Sequence, residues 1–317
     1  MCGIAGFIGT RRLSEEAARN CLALMRRRGP DASGLHRFTT SSGRHVLLMH
    51  SRLSIIDLDS RSDQPFNIEQ SWMVLNGELY NYLEIKRRLV EAGIPFRTRS
   101  DTEVFLAAIC RDGWRVLDEA EGMWALAVYD EAQEQLTLSR DRFGEKPLYV
   151  VRSPEGLYFG SEAKFVFALM GRALPVNRQH VRRYLVNGYK ALFKSEERFF
   201  EGLEEVPPAA VLRIDADGKE MQSLYWEPSF RPDESLTYEE AVAGVRARVI
   251  RSMDLRLRGD VPAAFLMSGG VDSNVLIGIA KRVFGYDVHG FTILTDDERY
   301  DEREMLDRSV AELGVRH

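Results

Sequence analysis

Apolar positions in the first two thirds of the chain form short runs that predict several strands and a few helices. The strand-like runs, continuous or alternating, lie at 2–9, 45–50, 72–76, 124–129, 135–140 and 147–151. Helical periodicity appears over 14–27, 81–92 and 101–113. Strands grouped in this way, with helices between some of them, predict sheets packed against helices rather than a strict alternation of the two.

The pattern changes after residues 225–235, a proline- and charge-rich stretch that we predict to be a linker. The elements predicted beyond it are a helix over 237–258, a strand over 261–268, a helix over 274–285, a strand over 287–294 and a helix over 300–314. This alternation is typical of a parallel α/β sheet. A third strand should begin at Val315. Because two parallel strands alone are not a stable unit, we expect an incomplete second domain, with a small appendage as the alternative.

Composition and charge exclude several functional classes. The 317 residues carry a formal net charge of −5, which gives no electrostatic case for binding nucleic acid or an anionic membrane. The basic clusters at 26–28 and 182–183 are interpreted as solvated helix faces. No apolar run reaches the length of a membrane-spanning helix, and the N-terminus lacks the pattern of a secretory signal.

Cysteine and histidine usage indicates a reducing compartment and no zinc site. The three cysteines, Cys2, Cys21 and Cys110, are too few and too scattered for a disulfide framework, so we expect a cytoplasmic protein. Cys21 and Cys110 lie in apolar helical patterns and are predicted to be buried. The six histidines show no metal-ligand spacing.

The segment FLMSGGVDSNVL has the composition of a phosphate-binding loop between a strand and a helix. Gly269 and Gly270 would let backbone N–H groups approach an anion at the positive end of the helix. The hydroxyls of Ser268 and Ser273 can donate to phosphate oxygens, and Asp272 suits Mg²⁺ or its water shell. The sequence lacks the GxxxxGK[ST] pattern of a Walker loop. A plain strand-to-helix corner is the structural alternative.

Cys2 directly follows the initiator methionine, so removal of Met1 would give it a free α-amino group. That amine, with an ordinary pKa near 8, can act as general base for the thiol. Attack on an amide also needs an oxyanion hole, for which the Asn76 side-chain amide and the Gly77 backbone N–H are candidates. A cysteine at a strand start and an ordinary hairpin turn are the alternatives, and this chemistry alone leaves them open.

Several segments together resemble a known family. CGIAGF, RRGPDASG, HSRLSIIDL, LNGELYNY, SDTEV, GMWALAVYD and RDRFGEKPLYV occur in the order found in glutaminase domains of class II glutamine amidotransferases. SGGVDS resembles the pyrophosphate loop of N-type ATP pyrophosphatases. From Cys2 to His317 the chain resembles glutamine-hydrolysing asparagine synthetases of the bacterial type. The α/β architecture that this implies is a four-layer αββα Ntn-hydrolase glutaminase domain over 2–210, a connection over 211–235 and an incomplete ATP-pyrophosphatase domain over 236–317.

The resemblance also assigns residues to two sites. Cys2 would attack the side-chain amide of glutamine, with Asn76 and Gly77 as the oxyanion hole. The implied glutamine-binding residues are Arg52, Ile56, Glu78 and Asp101, with Arg52 on the α-carboxylate and both carboxylates on the α-ammonium group. A surface ion pair is the alternative for Arg52 and Asp101. The implied ATP-binding residues are Leu266, Met267, Ser268, Gly269, Gly270, Asp272, Ser273 and Ile293, with Mg²⁺ held by Asp272 through ATP.

The activity implied by the resemblance is synthesis of asparagine from aspartate, glutamine and ATP. ATP would adenylate the aspartate side chain, and ammonia from glutamine would displace AMP. The expected partners are these small molecules, with Mg²⁺ as cofactor and a homodimer as a further expectation. Two alternatives stay open: amidation of another carboxylate, such as a uronic-acid sugar, and a glutaminase that lacks synthesis.

The sequence departs from the family pattern at two places. Arg27 replaces the histidine that usually stands before Arg-Gly-Pro-Asp, and EVPPAAVL replaces a segment resembling Pro-Gly-His. Asp301 and Glu302 match a family segment, although a charged helix start explains them equally well.

Overall fold

The chain divides into two units, Met1–Ser229 and Phe230–His317. The computed structural model describes residues 1–193, 195–297, 299 and 301–317. Each unit has its own apolar core and is described separately below. No helix in the described part of the chain combines the length and apolarity needed to cross a membrane.

The first unit is built on strands that follow one another closely along the chain. They are β1 (Gly3–Gly9), β2 (Ala32–Thr39), β3 (His45–Arg52), β4 (Phe66–Ile68), β5 (Ser71–Leu79), β6 (Gly122–Asp130), β7 (Gln135–Arg140), β8 (Tyr149–Ser153), β9 (Gly156–Gly160), β10 (Glu204–Glu205), β11 (Ala210–Ile214) and β12 (Glu220–Leu224). Its helices are α1 (Glu15–Met25), α2 (Tyr82–Glu91), α3 (Asp101–Asp112), α4 (Ala163–Met170) and α5 (Arg178–Asn187), with short 3₁₀ helices at Ser60–Ser62, Gly113–Asp118 and Tyr189–Phe193.

The strands form two antiparallel sheets that share one core. The described strands run in the orders β10-β8-β9-β1-β3-β2 and β12-β11-β7-β6-β5-β4. Between the sheets, buried side chains such as Ile4 and Leu48 meet Val74 and Leu138. Helices α1 and α4 cover the outer face of the first sheet, and α2 and α3 cover that of the second. The resulting order of layers is αββα, as predicted.

A buried histidine links the two sheets. His50 on β3 is fully buried, and its Nε2 lies 3.0 Å from the Leu75 carbonyl oxygen on β5. Burial lowers the pKa of His50 to about 3, so the ring stays neutral and can donate to this carbonyl near neutral pH. The hydrogen bond therefore links β3 to β5 close to the ends of these strands, where Arg52 and Asn76 lie.

The predicted strands and helices of the first unit are all present, but the sequence analysis missed several others. Strands β2, β4, β9, β10, β11 and β12 and helices α4 and α5 were not predicted. Strand β12 has every residue exposed, so it shows no alternation of apolar and polar positions. Because β11 and β12 extend the second sheet, the predicted connection over 211–235 includes part of the first unit.

Cys110 was predicted to be buried, and the structure corrects this. Cys21 is buried within α1, whereas Cys110 lies near the end of α3 with its residue exposed. The buried residues of α3 run as far as Ile109. Cys110 is the next residue, beyond the part of the helix that is covered.

The second unit has a parallel sheet flanked by helices, as predicted. It contains α6 (Tyr238–Arg256), β13 (Ala264–Leu266), α7 (Val271–Arg282), β14 (His289–Phe291) and α8 (Arg303–Leu313). The predicted capping box is present, with Thr237 and Glu240 bonding each other's backbone N–H. Arg316 forms a parallel bridge with His289, which is where a third strand was expected. Tyr300, the first residue of the last predicted helix, lies outside the described residues.

A turn before β11 contains Ala209 in the left-handed region, with φ of 56°. This residue belongs to the segment that departs from the Pro-Gly-His pattern. Its N–H donates to the Asp141 carbonyl (2.9 Å) and its carbonyl accepts from the Tyr225 N–H (2.9 Å), so its neighbours fix this conformation. In this left-handed conformation a residue with a Cβ atom is sterically strained, whereas glycine is not.

We predict that Ala209→Gly is tolerated better than Ala210→Gly by at least about 1 kcal/mol in the free energy of unfolding. Ala210 is the matched control because it is also buried and adjacent, but it lies in β11 without a positive φ. Both variants lose one methyl group, so the difference isolates the backbone strain. Urea unfolding followed by circular dichroism measures it, and equal losses of stability would contradict the prediction.

Candidate active site

One cavity of the first unit collects all seven residues that were assigned to glutamine hydrolysis. They are Cys2, Arg52, Ile56, Asn76, Gly77, Glu78 and Asp101. These residues are spread over a hundred positions of the sequence and come from both sheets, a loop and the start of a helix. The structure thus brings the predicted set together, and their individual roles stay predictions.

Strand pairing explains why the ends of different elements meet at this cavity. In the first sheet Gly3 pairs with Ser51, so Cys2 lies beside the end of β3, where Arg52 stands. In the second sheet the end of β5 carries Asn76, Gly77 and Glu78. Asp101 is the first residue of α3, and its carboxylate accepts the Leu79 backbone N–H at 2.9 Å, which ties this helix to the end of β5.

The Cys2 thiol is half-buried and contacts backbone polar groups. The Leu53 N–H lies 3.4 Å from Sγ and can donate to it, and Sγ lies 3.6 Å from the Leu53 carbonyl oxygen. Burial raises the pKa of Cys2, although the Leu53 contact and the positive charges of the amino terminus and Arg52 oppose this effect. The thiol is therefore mostly protonated at neutral pH and requires a base to become a nucleophile.

Arg28 fixes the backbone at Cys2, and this corrects the interpretation of residues 26–28 as a solvated face. Its Nε donates to the Cys2 carbonyl oxygen at 2.8 Å, and its Nη1 pairs with Glu162 at 3.2 Å. The side chain of Arg28 is only 12% exposed. Arg26 and Arg27 are exposed, so the departure at Arg27 lies outside the cavity.

The candidate oxyanion-hole residues adjoin each other on β5. Asn76 is fully buried, with Nδ2 3.4 Å from the Ser161 hydroxyl, and Oδ1 has no hydrogen-bond partner among the described residues. Gly77 lies against β6 so closely that a Cβ atom would fall 2.1 Å from the Met123 carbonyl oxygen. Only glycine permits this approach of the two strands, and with it the position of the Gly77 backbone at the cavity.

Arg52 is buried, and its two terminal nitrogens already have acceptors. Nη1 donates to Asp63 (2.7 Å) and to the Asp59 carbonyl (3.0 Å). Nη2 donates to the carbonyl oxygens of Ile56 and Asp57. By donor count, the Nε–H of the guanidinium is the donor that remains for a ligand. Arg52 does pair with Asp63, but the alternative of a surface ion pair does not describe it, because the Arg52 side chain is only 6% exposed.

Two carboxylates in the cavity have raised pKa values. Burial, followed by the charge of Asp101, raises the pKa of Glu78 to about 7. Burial also raises the pKa of Asp101, while hydrogen bonds from the backbone of Leu79 and Thr102 and from Ser100 act against it. Two acids in one low-dielectric site repel each other, and a cationic ligand group between them would favour the ionised forms.

The sequence analysis assigned no role to several other residues that line this cavity. They are Met1, Leu53, Ile55, Gln64, Ser100, Thr102, Met123 and Lys146. Lys146 lies within the segment RDRFGEKPLYV, which contributed to the resemblance, but nothing in its spacing indicated a place in the cavity. Gln64 connects the elements, since Oε1 accepts the Leu75 N–H and Nε2 donates to Thr102.

The candidate ATP loop of the second unit lies between β13 and α7. Its hydroxyls meet each other, with Ser268 Oγ 2.9 Å from Ser273 Oγ. The Asn274 side chain donates to the carbonyl oxygens of Ser268 (3.0 Å) and Gly270 (2.8 Å), which fixes the turn. Helix α7 begins at Val271, and its N-cap residue Gly270 provides no side-chain hydrogen bond among the described residues, so the N–H groups of its first turn are available to a ligand.

A carboxylate already occupies one N–H group of this loop. Glu302, just before α8, accepts the Gly269 N–H at 2.8 Å. The contact demonstrates that the paired glycines present a backbone donor to an anionic oxygen. Asp301 instead accepts the Arg303 N–H at 3.0 Å, as a residue at a helix start does.

The apolar residues predicted to lie against a nucleotide occupy different environments. Leu266 and Ile293 are exposed at the ends of the two strands. The Met267 side chain is buried and packs against Gly290, where a Cβ atom would lie 2.2 Å from the sulfur. Asp272 is exposed in the first turn of α7. Within the described residues, no three His, Cys, Asp or Glu side chains form a group that could hold a metal ion.

Comparison with protein families finds two matches, one in each of the two units of the chain. Residues 1–226 match the glutamine amidotransferase domain, and residues 244–317 match asparagine synthase. The chain belongs to the glutamine amidotransferase domain family. The family predicted from the sequence is thus confirmed, including the start of an asparagine synthase domain behind the first domain.

Curated relatives of this family are similar along nearly the whole chain. Asparagine synthetase [glutamine-hydrolyzing] 1 of Bacillus subtilis is 28% identical in an alignment 323 residues long, which covers 99% of this chain and 49% of that protein. An amidase of Gibberella zeae, chry2, is 32% identical over 302 residues, covering 89% of this chain and 43% of its own. The chain spans about half the length of these curated relatives.

Solved structures show the same fold. Glutamine phosphoribosylpyrophosphate amidotransferase from B. subtilis, complexed with ADP and GMP, superposes with a TM-score of 0.53 at 16% identity, covering 99% of this chain and 71% of that one. A structure described as the allosteric regulatory enzyme of purine biosynthesis gives 0.52 at 16% identity, covering 97% and 70%. At this identity the likeness establishes the fold class alone, and the predicted Ntn-hydrolase fold is confirmed.

We predict that Gly77→Ala lowers the free energy of unfolding by about 2 kcal/mol or more, because the added methyl group overlaps the backbone of β6. Gly160→Ala is the matched control: Gly160 is also a strand residue of this unit, but its added Cβ would meet its neighbours at 3.4 Å or more. Thermal and urea unfolding compare the two variants. Equal stabilities would contradict the close approach of β5 and β6 at Gly77.

Proposed function

We propose that this chain is the glutamine-hydrolysing part, and the beginning of the ATP-dependent part, of an amidotransferase that makes asparagine. The observation that carries the proposal is the convergence of the seven assigned residues on one cavity that contains the Cys2 thiol. The family match and the curated relatives support it. We place its action in the reducing cytoplasm, because three scattered cysteines are too few for a disulfide framework.

In the proposed hydrolysis, Met1 is first removed so that Cys2 carries a free α-amine. This amine takes the thiol proton, and Sγ attacks the side-chain carbonyl carbon of glutamine. Asn76 Nδ2 and the Gly77 N–H stabilise the oxyanion that forms, and Nδ2 turns from Ser161 to do so. The amine then returns the proton to the leaving nitrogen, the C–N bond breaks, and ammonia departs. Water hydrolyses the thioester to give glutamate and free Cys2.

The charged ends of glutamine have matching groups in the cavity. The Nε–H of Arg52 remains for the α-carboxylate, because the terminal nitrogens are bonded to neighbouring oxygens. Glu78 and Asp101 bind the α-ammonium group, whose charge offsets their mutual repulsion. Ile56 supplies an apolar contact at the same cavity.

In the proposed synthesis, the loop of the second unit binds ATP. The backbone N–H groups of Gly269 and Gly270 and the hydroxyls of Ser268 and Ser273 contact the phosphates, and Glu302 leaves the Gly269 N–H as they bind. Mg²⁺ would arrive with ATP and neutralise phosphate charge, with Asp272 as its nearby carboxylate. Aspartate is the favoured acceptor: its carboxylate displaces pyrophosphate from ATP, and ammonia then displaces AMP.

A second acceptor is a real alternative, because relatives at similar identity are called amidases. Such an enzyme would amidate another carboxylate, for example that of a uronic-acid sugar. Glutaminase activity without synthesis is a further alternative. Assaying ammonia-dependent AMP formation with aspartate or a uronate separates these possibilities in the intact protein.

Replacing the nucleophile tests the first half of the proposal. We expect Cys2→Ala to lower the release of glutamate from glutamine by at least about a thousandfold, since no other group can form the thioester. Cys110→Ala is the matched control, because Cys110 is an exposed thiol away from the cavity and its replacement should leave the rate unchanged. A coupled glutamate assay measures both variants.

Two results would contradict this scheme. One is glutamine hydrolysis by Cys2→Ala at the rate of the unchanged protein. The other is an active protein whose mass spectrum shows that Met1 is retained, because the α-amine of Cys2 would then be blocked as a base.

Replacing the loop carboxylate tests the second half. We expect Asp272→Asn to weaken the binding of ATP with Mg²⁺ about tenfold, as loss of one charged contact does, while glutamine hydrolysis is unchanged. Asp307→Asn on α8 is the control, since Asp307 is also exposed but lies outside the loop. Isothermal titration gives the affinities. Equal affinities for Asp272→Asn and the unchanged protein would rule out this role.

A further inference from the structure

Lys146 is a buried cation in the glutaminase cavity. The residue is 7% exposed and lines the same cavity as Cys2, Glu78 and Asp101. Its Nζ lies 3.6 Å from the Met1 sulfur, a contact that disappears when Met1 is removed. A lysine ammonium loses hydration on burial, which lowers its pKa, and such a group needs nearby negative charge to stay ionised.

The backbone of the preceding loop fixes the position of Lys146. Its N–H donates to the Asp141 carboxylate at 3.0 Å, and its carbonyl accepts from Arg140 Nε at 2.7 Å. The same carboxylate also accepts the N–H groups of Phe143 and Glu145, so it organises the whole turn. The lysine therefore enters the cavity from a rigid loop of the scaffold.

The charges that face Glu78 come from three directions. Asp101 on α3 raises its pKa, whereas Lys146 and the amino terminus ahead of β1 lower it. Lys146 in turn is stabilised in its charged form by Glu78, Glu145 and Asp141 and destabilised by Arg28. Arg52 also lines this cavity but is paired with Asp63, so Lys146 is the side-chain cation of the cavity that lowers the pKa of Glu78.

We propose that Lys146 is a positioning residue for glutamine: its ammonium keeps Glu78 ionised, so that the carboxylate binds the substrate's α-ammonium group at neutral pH. This inference rests on the proposed function, since it concerns the same cavity. It adds a residue to the binding machinery and predicts how binding depends on pH.

The direction of the effect follows from the sign of the charges. Glu78 titrates near pH 7, so a modest change in its surroundings alters its ionised fraction under ordinary conditions. Without the Lys146 ammonium, its pKa rises further and more of it is protonated at pH 7. A protonated carboxyl group attracts an ammonium group poorly, so glutamine binds more weakly at neutral pH. At pH values well above the pKa of Glu78, its carboxyl group is ionised with or without the Lys146 ammonium, and the difference in glutamine binding disappears.

The test compares Lys146→Met and Lys146→Gln with Lys146→Arg in the full chain. We expect the two neutral variants to raise the KM for glutamine about fivefold at pH 7, because a rise of about one unit in the Glu78 pKa, from about 7, lowers its ionised fraction from about a half to about a tenth. At pH 9 their KM should lie within about twofold of the unchanged protein, with kcat affected less than KM throughout. Lys146→Arg keeps the charge and should keep the original pH profile.

A purely structural role for Lys146 predicts a different outcome. KM would then change by the same factor at every pH, or Lys146→Arg would be as defective as Lys146→Met, and either result would overturn the proposal. Thermal unfolding of each variant verifies that it is folded, and the two neutral side chains provide independent replacements.

A second measurement does not depend on activity. The titration of Glu78 can be followed by NMR in protein labelled with ¹³C at glutamate carboxyl groups, with Glu78→Gln identifying the resonance. We expect the midpoint to rise in Lys146→Met and Lys146→Gln. If the Glu78 midpoint were the same in these variants as in the protein without substitutions, the proposal would be overturned, even though that protein hydrolyses glutamine. Absence of hydrolysis in the unchanged protein would instead refute the proposed function.

Discussion

The register of β1 between its two neighbours is the constraint on which the cavity beside Cys2 depends. The pairing of Gly3 with Ser51 holds Cys2 one residue beyond the paired region, beside the end of β3. The strands can pack this closely because Gly6 has no Cβ atom. A Cβ there would lie 2.3 Å from the Phe159 ring and from the Leu47 carbonyl oxygen. Since side chains alternate along a strand, a shift by one residue would turn the β1 side chains to the opposite face. Arg28 adds a direct bond to the Cys2 carbonyl.

Around this fixed thiol the fold gathers charges that would be unfavourable in an ordinary core. Glu78 and Asp101 are carboxylates with raised pKa values, and their surroundings include Arg52 and Lys146. Each group comes from a different element. Glu78 lies at the end of β5 and Asp101 at the start of α3, while Arg52 ends β3 and Lys146 lies in the loop before β8. Burial makes every one of these charges sensitive to its neighbours, which is useful for binding a zwitterion and costly for stability.

Much of the fold and part of the site could be predicted because they depend on local patterns. The apolar runs around β1, β5 and β6 predicted strands, and the family segments identified the residues that meet at the cavity. Features without a local pattern were missed. Strand β12 is exposed throughout and has no alternation. Arg28 belongs to a basic cluster whose other members are exposed, so only the neighbouring Cys2 and Glu162 explain its burial.

The sequence by itself determined the family, the main strands and helices and the candidate residues of both sites, because short-range periodicity and characteristic segments encode these properties. Tertiary structure alone decided which groups meet and in what state of charge. It placed Lys146 in the same cavity as Glu78, occupied the terminal nitrogens of Arg52 with neighbouring oxygens, and left Cys110 exposed. These outcomes depend on distances between residues far apart in the chain and on their loss of contact with water, and both are set only when the sheets and helices pack together.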